Sequence, residues 1–236
     1  RSTDMVKKDE AIHEAQKKIA MLSSVTRHDI LNQVTVIRML FDIMEMTGDV
    51  PADSDTWVQL SKINDAAITI ERQIGFTRDY EDLGSQPPVW QHIGDLVTRM
   101  AATSEFSHLT VACSCHNLTV YADPMLERVV HELFTNAVRH GGDVTSLTVS
   151  CRTNMDGTAV IDVSDDGVGI ADDRKQKIFS HGIGIKTRYG LYLSREILSV
   201  TGITIREIGT EGTGAVFSLS VPQQNWKIPR DHHISS

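Results

Sequence analysis

"VTRHDILNQVTVIRMLF", residues 25–41, is a helical pattern with an interruption in it. Ile30, Val34, Ile37 and Phe41 step by four, three and four, the seam of a coiled coil. His28, Asp29, Asn32 and Gln33 break the apolar run. His28 precedes Ile30 by two residues, about 200° around the axis from the seam, so it points to water. Asn32 follows one turn later, about 40° from His28, on the same exposed face. Asp29 can reach the flank of the imidazole. For a lone histidine a solvated polar patch would be explanation enough. An exposed imidazole beside a carboxylate is also a workable nucleophile. It is about half neutral near its usual pKa of ~6.5, and the carboxylate can hold the tautomer or accept a proton.

Upstream, Ile12, Ala15, Ile19 and Leu22 carry the same seam, with a stutter before Ile30. Downstream, "TGDVPADSD" (47–55) is a turn with Gly48 and Pro51 as breakers and Ser54 or Asp55 as N-cap. Leu60, Ile63, Ala67, Ile70 and Ile74 then mark a second helix. Two long helices joined by a short turn make an antiparallel hairpin. Each stripe is wider than one partner covers, which predicts a dimeric four-helix bundle.

"LGSQPPVW" (83–90) ends the helical grammar. Beyond it, strands are expected at 110–115, 118–122, 146–151, 159–163, 203–208 and 215–221. Helices are expected at 94–102, 125–140 and 188–201. Mixed helices and hairpin-like strands predict an α/β sandwich. The domains are therefore 1–85 and 86–225, with 226–236 as a tail.

The net charge of −8 over 236 residues argues against non-specific nucleic-acid binding, which needs a basic face. Three cysteines, Cys113, Cys115 and Cys151, make no even disulfide framework and point to a reducing compartment. "CSCH" (113–116) fits no common metal spacing and reads as strand alternation. No run is long enough to cross a bilayer, and no signal peptide is visible, so no membrane contact is expected of this fragment. The opening on Arg1 reads as a piece of something longer.

"HELFTNAVRHGG" (131–142) places Glu132, Asn136, Arg139 and His140 on one helix face, with Val129, Val130, Leu133, Phe134 and Ala137 on the other. An acid, an amide oxygen and a cation suit a hydrated Mg²⁺ and phosphates. The HExxH zinc motif is excluded because Thr135 stands where its second histidine belongs. "VIDVSDDGVGI" (160–170) runs a strand into Asp166-Gly167-Val168-Gly169. There an aspartate can accept from an exocyclic amine and glycines let backbone approach a flat base, although a plain Gly-rich turn has the same composition. Neither "HGIGIKTRYGLYLSREI" (181–197) nor "GTEGTGAVFSLSVP" (209–222) is a Rossmann or Walker A sequence.

In this order the motifs resemble those of the sensor histidine kinases of two-component signalling. "RHDILNQ" resembles their H-box, "HELFTNAVRHGG" the N-box, "DDGVGI" the G1 box, "KIFSHG" (177–182) the F-box and "GTGAVF" the G3 glycines. The H-D-x-x-N-Q form and the "FTRDYEDLG…PVWQ" linker are similar to kinases of methanogenic archaea. The resemblance implies a dimerisation and phosphotransfer hairpin followed by a GHKL (Bergerat) ATP-binding sandwich, a homodimer, ATP and Mg²⁺ as cofactors, and a cytoplasmic core. A sensor region upstream in the same chain and a response regulator receiver domain would be its partners.

His28 would take the γ-phosphoryl group of ATP and pass it to an aspartate of the regulator. Asp29 would assist as base, and Asn32 would position water for phosphatase activity. Asn136 and Glu132 would hold the metal, with Arg139 and His140 at the phosphates and Asp166 at the adenine amine. Gly167, Gly169, Gly182, Gly184, Lys186, Thr187, Gly190, Leu191, Gly212, Thr213 and Gly214 complete the implied ATP site, with residues 170–186 as its lid. The family's second glycine box reads T-G-L-G-L, and here it is Thr187-Arg188-Tyr189-Gly190-Leu191. Arg188 at a helix N-terminus would crowd the phosphates or clamp them. Crowding would leave the alternative, a catalytically weak ATP-binding dimeric scaffold that docks a regulator.

Overall fold

The computed structural model describes residues 2–180 and 189–228, with side chains from residue 21 onward. The upstream seam residues Ile12, Ala15 and Ile19 thus lie outside the described side chains. The chain divides into two compact units, residues 1–77 and 78–236.

The first unit is the hairpin. Helix α1 spans Ser2–Thr47 and α2 spans Asp55–Asp82. Gly48 ends α1 at φ 67°, a left-handed conformation that glycine adopts without steric cost. Ser54 is the N-cap of α2: its hydroxyl accepts from the Trp57 N–H at 3.1 Å. The chain then doubles back. Phe41 stacks near Trp57 with ring centroids 5.1 Å apart, and Arg38 Nη1 donates to Glu71 Oε2 at 2.8 Å. Val34 and Ala67 are buried on the seam, while Ile37, Ile63 and Ile70 remain exposed.

The second unit is an α/β sandwich. A three-stranded antiparallel sheet has the order β1 (Val89–His92), β3 (Thr119–Ala122), β8 (Trp226–Lys227). The larger sheet has the order β2 (Thr110–Cys113), β4 (Ser146–Thr153), β5 (Ala159–Asp165), β7 (Val216–Val221), β6 (Thr204–Glu207). β2 runs parallel to β4 and the remaining neighbours are antiparallel. Helices α3 (Ile93–Ala101), α4 (Leu126–His140) and α5 (Tyr189–Ser199) supply the apolar faces opposite the sheet. Their core includes Val97, Leu133, Val149, Ile161, Leu198 and Val221.

The six expected strands are present, and two boundaries are corrected. The division falls near residue 77 rather than 85, because the last turn of α2 is tied into the second unit. There Asp79 pairs with Arg128 at 2.5 Å, and the Gly84 N–H donates to Asp123 Oδ2 at 3.1 Å. Trp226 and Lys227 are no tail: they pair with β3, and the Trp226 indole donates to Gly157 O at 2.9 Å.

Candidate functional sites: an imidazole on the hairpin and a cleft in the sandwich

On α1, His28 is exposed, its side chain 74% accessible. Its Nδ1 lies 3.3 Å from Asp29 Oδ1 and 3.3 Å from Asn32 Nδ2. These two partners ask opposite things of that nitrogen. Asp29 accepts only if Nδ1 carries the proton, whereas the Asn32 amide donates only if it does not. With Asp29 engaged, the proton is on Nδ1 and the lone pair is on Nε2, facing solvent. That is a nucleophilic imidazole.

In the second unit a cleft of about 620 Å³ opens between α4, the end of β5, the segment after it and the loop before β7. Glu132, Asn136, Arg139 and His140 all line it, as the helical spacing predicts. The Asn136 amide donates through Nδ2 to Glu132 O at 2.8 Å and to Glu132 Oε1 at 2.9 Å. Both its protons are thereby directed at the helix, and Oδ1 is left as an acceptor. Burial pushes the Glu132 carboxyl above its ordinary range, opposed by the Asn136 hydrogen bond and then by Arg139. Gly190, at the start of α5, packs against that carboxylate. A Cβ there would come within 2.0 Å of Glu132 Oε1.

Asp166 does not belong to this cleft. Its carboxylate accepts from the N–H and hydroxyl of both Thr145 and Ser146, at 2.6–3.1 Å, which draws its pKa far below the ordinary carboxylate range. It is a structural clasp on the start of β4. Asp165 is the residue in the cleft. Its Oδ1 accepts from the N–H groups of Gly167 and Ala215, at 2.9 and 3.0 Å. Oδ2 has no partner among the described residues and is available to a ligand's amine. Strand alternation carries the signal. Ile161, Val163 and Asp165 share one face of β5 and Asp162 and Ser164 the other, with Asp166 the next residue beyond the strand.

The other residues of the implied ATP site separate into three groups. Gly169 and Leu191 line the cleft. Gly167, Gly190, Gly212, Thr213 and Gly214 do not line it. Gly214 has φ 109°, and a Cβ there would strike Asp165 O at 1.9 Å, so only glycine lets the two loops meet. Gly182, Gly184, Lys186, Thr187 and Arg188 lie outside the described residues. The described part of the expected lid contributes Ile170, Ala171, Arg174 and Ile178 to the wall. Sequence reasoning also missed Glu211, in the loop before β7, and Phe217, which reaches the cleft through sheet pairing and so leaves no local spacing to read.

Among the described residues no three His, Cys, Asp or Glu side chains converge as a metal site. The donor set is instead one that suits a hydrated Mg²⁺. One carboxylate and one amide oxygen stand beside a cleft wide enough for phosphates, and Mg²⁺ keeps several waters and borrows phosphate oxygens.

Residues 122–225 match the family of histidine kinase-, DNA gyrase B-, and HSP90-like ATPases. Over 107 residues the chain is 33% identical to the sensor histidine kinase ZraS of Salmonella typhi, covering 44% of this chain and 23% of that protein. It is 25% identical over 220 residues to the sensor histidine kinase GraS of Staphylococcus haemolyticus, covering 89% and 62% respectively. The chain thus spans less than two thirds of either relative. The structure of full-length ShkA in complex with AMPPNP shares the fold, with TM-score 0.60 at 18% identity, over 87% of this chain and 45% of that one.

Proposed function

From the premise that the chain belongs to the sensor histidine kinases and carries their GHKL ATP-binding domain, we propose that it phosphorylates its own His28 from Mg-ATP. It then passes the phosphoryl group to an aspartate of a response regulator receiver domain, and in a second mode it dephosphorylates that regulator. The observation that carries this reading is the His28–Asp29 pair on an exposed helix face, in a chain that also holds a cleft built for nucleotide and phosphates.

The chemistry follows from the groups present. Asp29 holds the proton of His28 on Nδ1, so the Nε2 lone pair attacks the γ-phosphorus. The N–P bond forms, the bond from phosphorus to the β,γ-bridging oxygen breaks, and ADP leaves with that electron pair. Asp29 stabilises or accepts the Nδ1 proton as the ring becomes cationic. In the cleft Asp165 orients the adenine through its amine. Asn136 Oδ1 and Glu132 would hold Mg²⁺, which neutralises phosphate charge when bound, and Arg139 and His140 meet the phosphates. The hairpins of two copies associate through their exposed seams. Among the described residues no helix is long and apolar enough to cross a membrane. We place the working core in the cytoplasm, downstream of a sensor region.

Incubation with γ-labelled ATP tests the assignment. Label should appear on His28 alone, survive alkali and be lost in acid, as a phosphoramidate behaves. Wild-type labelling of His28→Ala would overturn it. Absence of label in the parent protein, with ATP still bound, would favour the scaffold reading that Arg188 raises.

A further inference from the structure

Outside the nucleotide cleft, the chain's three cysteines meet at one place. Cys113 ends β2 and faces Val149 of β4 in parallel register. The Ser114 N–H then donates to Val149 O at 2.9 Å, so the strands stay in step past the last ladder pair. Continuing that register sets Cys115 beside Cys151, and residues two apart on a strand share a face. The Cys115 thiol lies close enough to those of both Cys151 and Cys113 to be influenced by them, and Cys151 Sγ lies 3.9 Å from Ser114 O. Cys115 is fully buried and the other two are half-buried. Burial, and then the neighbouring thiols, push the Cys115 thiol up.

We propose that Cys115 and Cys151 are a reversible redox pair, closed by exchange with a small-molecule disulfide of the oxidised-glutathione type. Neighbouring strands stand about 4.8 Å apart, inside the Cα separation of roughly 4.4–6.8 Å that a disulfide spans. Cys151 is the accessible partner and reacts first. Its thiolate attacks one sulfur of the small disulfide, forming a mixed disulfide and releasing one thiol. Cys115, shielded and protonated at rest, gives up its proton and attacks Cys151 Sγ, expelling the second thiol. Two protein thiols are oxidised and one small disulfide is reduced to two thiols. The bridge ties the edge strand β2 to β4, the one neighbour it has in its sheet. It also closes the chain into a loop containing β3 and α4, the helix that carries Glu132 and Asn136. In a reducing compartment such a pair is open at rest and closes under oxidant.

The test needs no kinase activity. The protein is equilibrated with reduced and oxidised glutathione at defined ratios, quenched in acid, alkylated and mapped by mass spectrometry. A Cys115–Cys151 cross-link should form in the oxidising buffers, revert with dithiothreitol, persist in Cys113→Ser and vanish in Cys151→Ser. Its melting temperature should rise by roughly 5 °C or more on oxidation. Three free thiols throughout, a glutathione adduct that never closes, or a bridge to Cys113 would each overturn the pair. Mapping of the parent and Cys113→Ser decides the matter even if substitution of buried Cys115 prevents folding.

Discussion

In the hairpin, Val34 and Ala67 are the buried apolar side chains among the described residues, whereas Leu22, Ile30, Ile37, Ile63 and Ile70 stand 40% to 67% exposed. In the ATP-binding unit, Phe106, Leu133, Phe134, Leu147, Ile197 and Leu198 are almost completely enclosed. The sandwich closes its own core by laying helices on a sheet. The hairpin has two apolar stripes and only one partner helix for each, which fits the proposed dimeric bundle. On that proposal, stability in the first region is tied to protein concentration, and in the second it is not.

The largest effect should come from breaking that asymmetry directly. Ile37→Asp combined with Ile70→Asp puts four carboxylates into the seam of a dimer. Completing the burial of each isoleucine is worth less than the roughly 1.5–3 kcal/mol of a fully buried one. Desolvating each unpaired carboxylate costs several kcal/mol. The protein should become monomeric by light scattering while its ATP affinity is retained. A surviving dimer would place the interface elsewhere.

Asn136→Ala addresses the other side of the comparison. Even outer-shell changes at metal sites cost about 10–100-fold, so losing a direct ligand should weaken Mg²⁺-dependent ATP binding at least about a hundredfold. The dimer should be untouched, since Asn136 and the seam belong to different units. Unchanged affinity by calorimetry would remove Asn136 from the metal site.

Asp165 and Asp166 sharpen the picture further. In Asp165→Asn the amide oxygen can keep the bonds from Gly167 and Ala215, but its NH₂ then meets the donor amine of the base. A lost hydrogen bond to a charged group, about 1.5–3 kcal/mol, should weaken ATP binding roughly ten- to a hundredfold. Asp166→Asn should leave affinity within about twofold and lower the melting temperature, because it loosens only the clasp on Thr145 and Ser146. The reverse pattern would restore Asp166 to the adenine.

These two adjacent aspartates also show how far the sequence could be read. The hairpin, the seam at Ile30 to Phe41 and the polar face of α4 were legible because helical spacing places side chains without outside help. Six strands were visible from alternation alone. β1 and β8 were not: they are four and two residues long, and pairing with β3 makes them strands. The same limit acts at the site. Glu132 and Asn136 are one turn apart and could be found locally, whereas Asp165 is chosen over Asp166 by which face of the sheet is covered. Gly214 is fixed by its approach to Asp165 O, a contact 49 residues away in sequence. Residues 181–188, which hold the end of the expected lid and Arg188, lie outside the described residues.

The smallest loss of activity is expected at Asn32, where the two proposed reactions of the hairpin part company. Its amide lies 3.3 Å from His28 Nδ1, and in donating there it favours the tautomer whose Nε2 carries the proton. That opposes Asp29, so removing the amide should not impair attack on ATP. Asn32 also lies one turn from His28 on the exposed face, where a water near a docked phospho-aspartate could be held. Asn32→Ala should therefore keep autophosphorylation within about threefold, while dephosphorylation of the partner regulator falls on the order of tenfold, one lost hydrogen bond's worth. The regulator's own hydrolysis must be subtracted from both. If the variant dephosphorylates as fast as the parent, Asn32 is an ordinary surface residue of α1, and the polar interruption in the seam is explained by His28 and Asp29 alone.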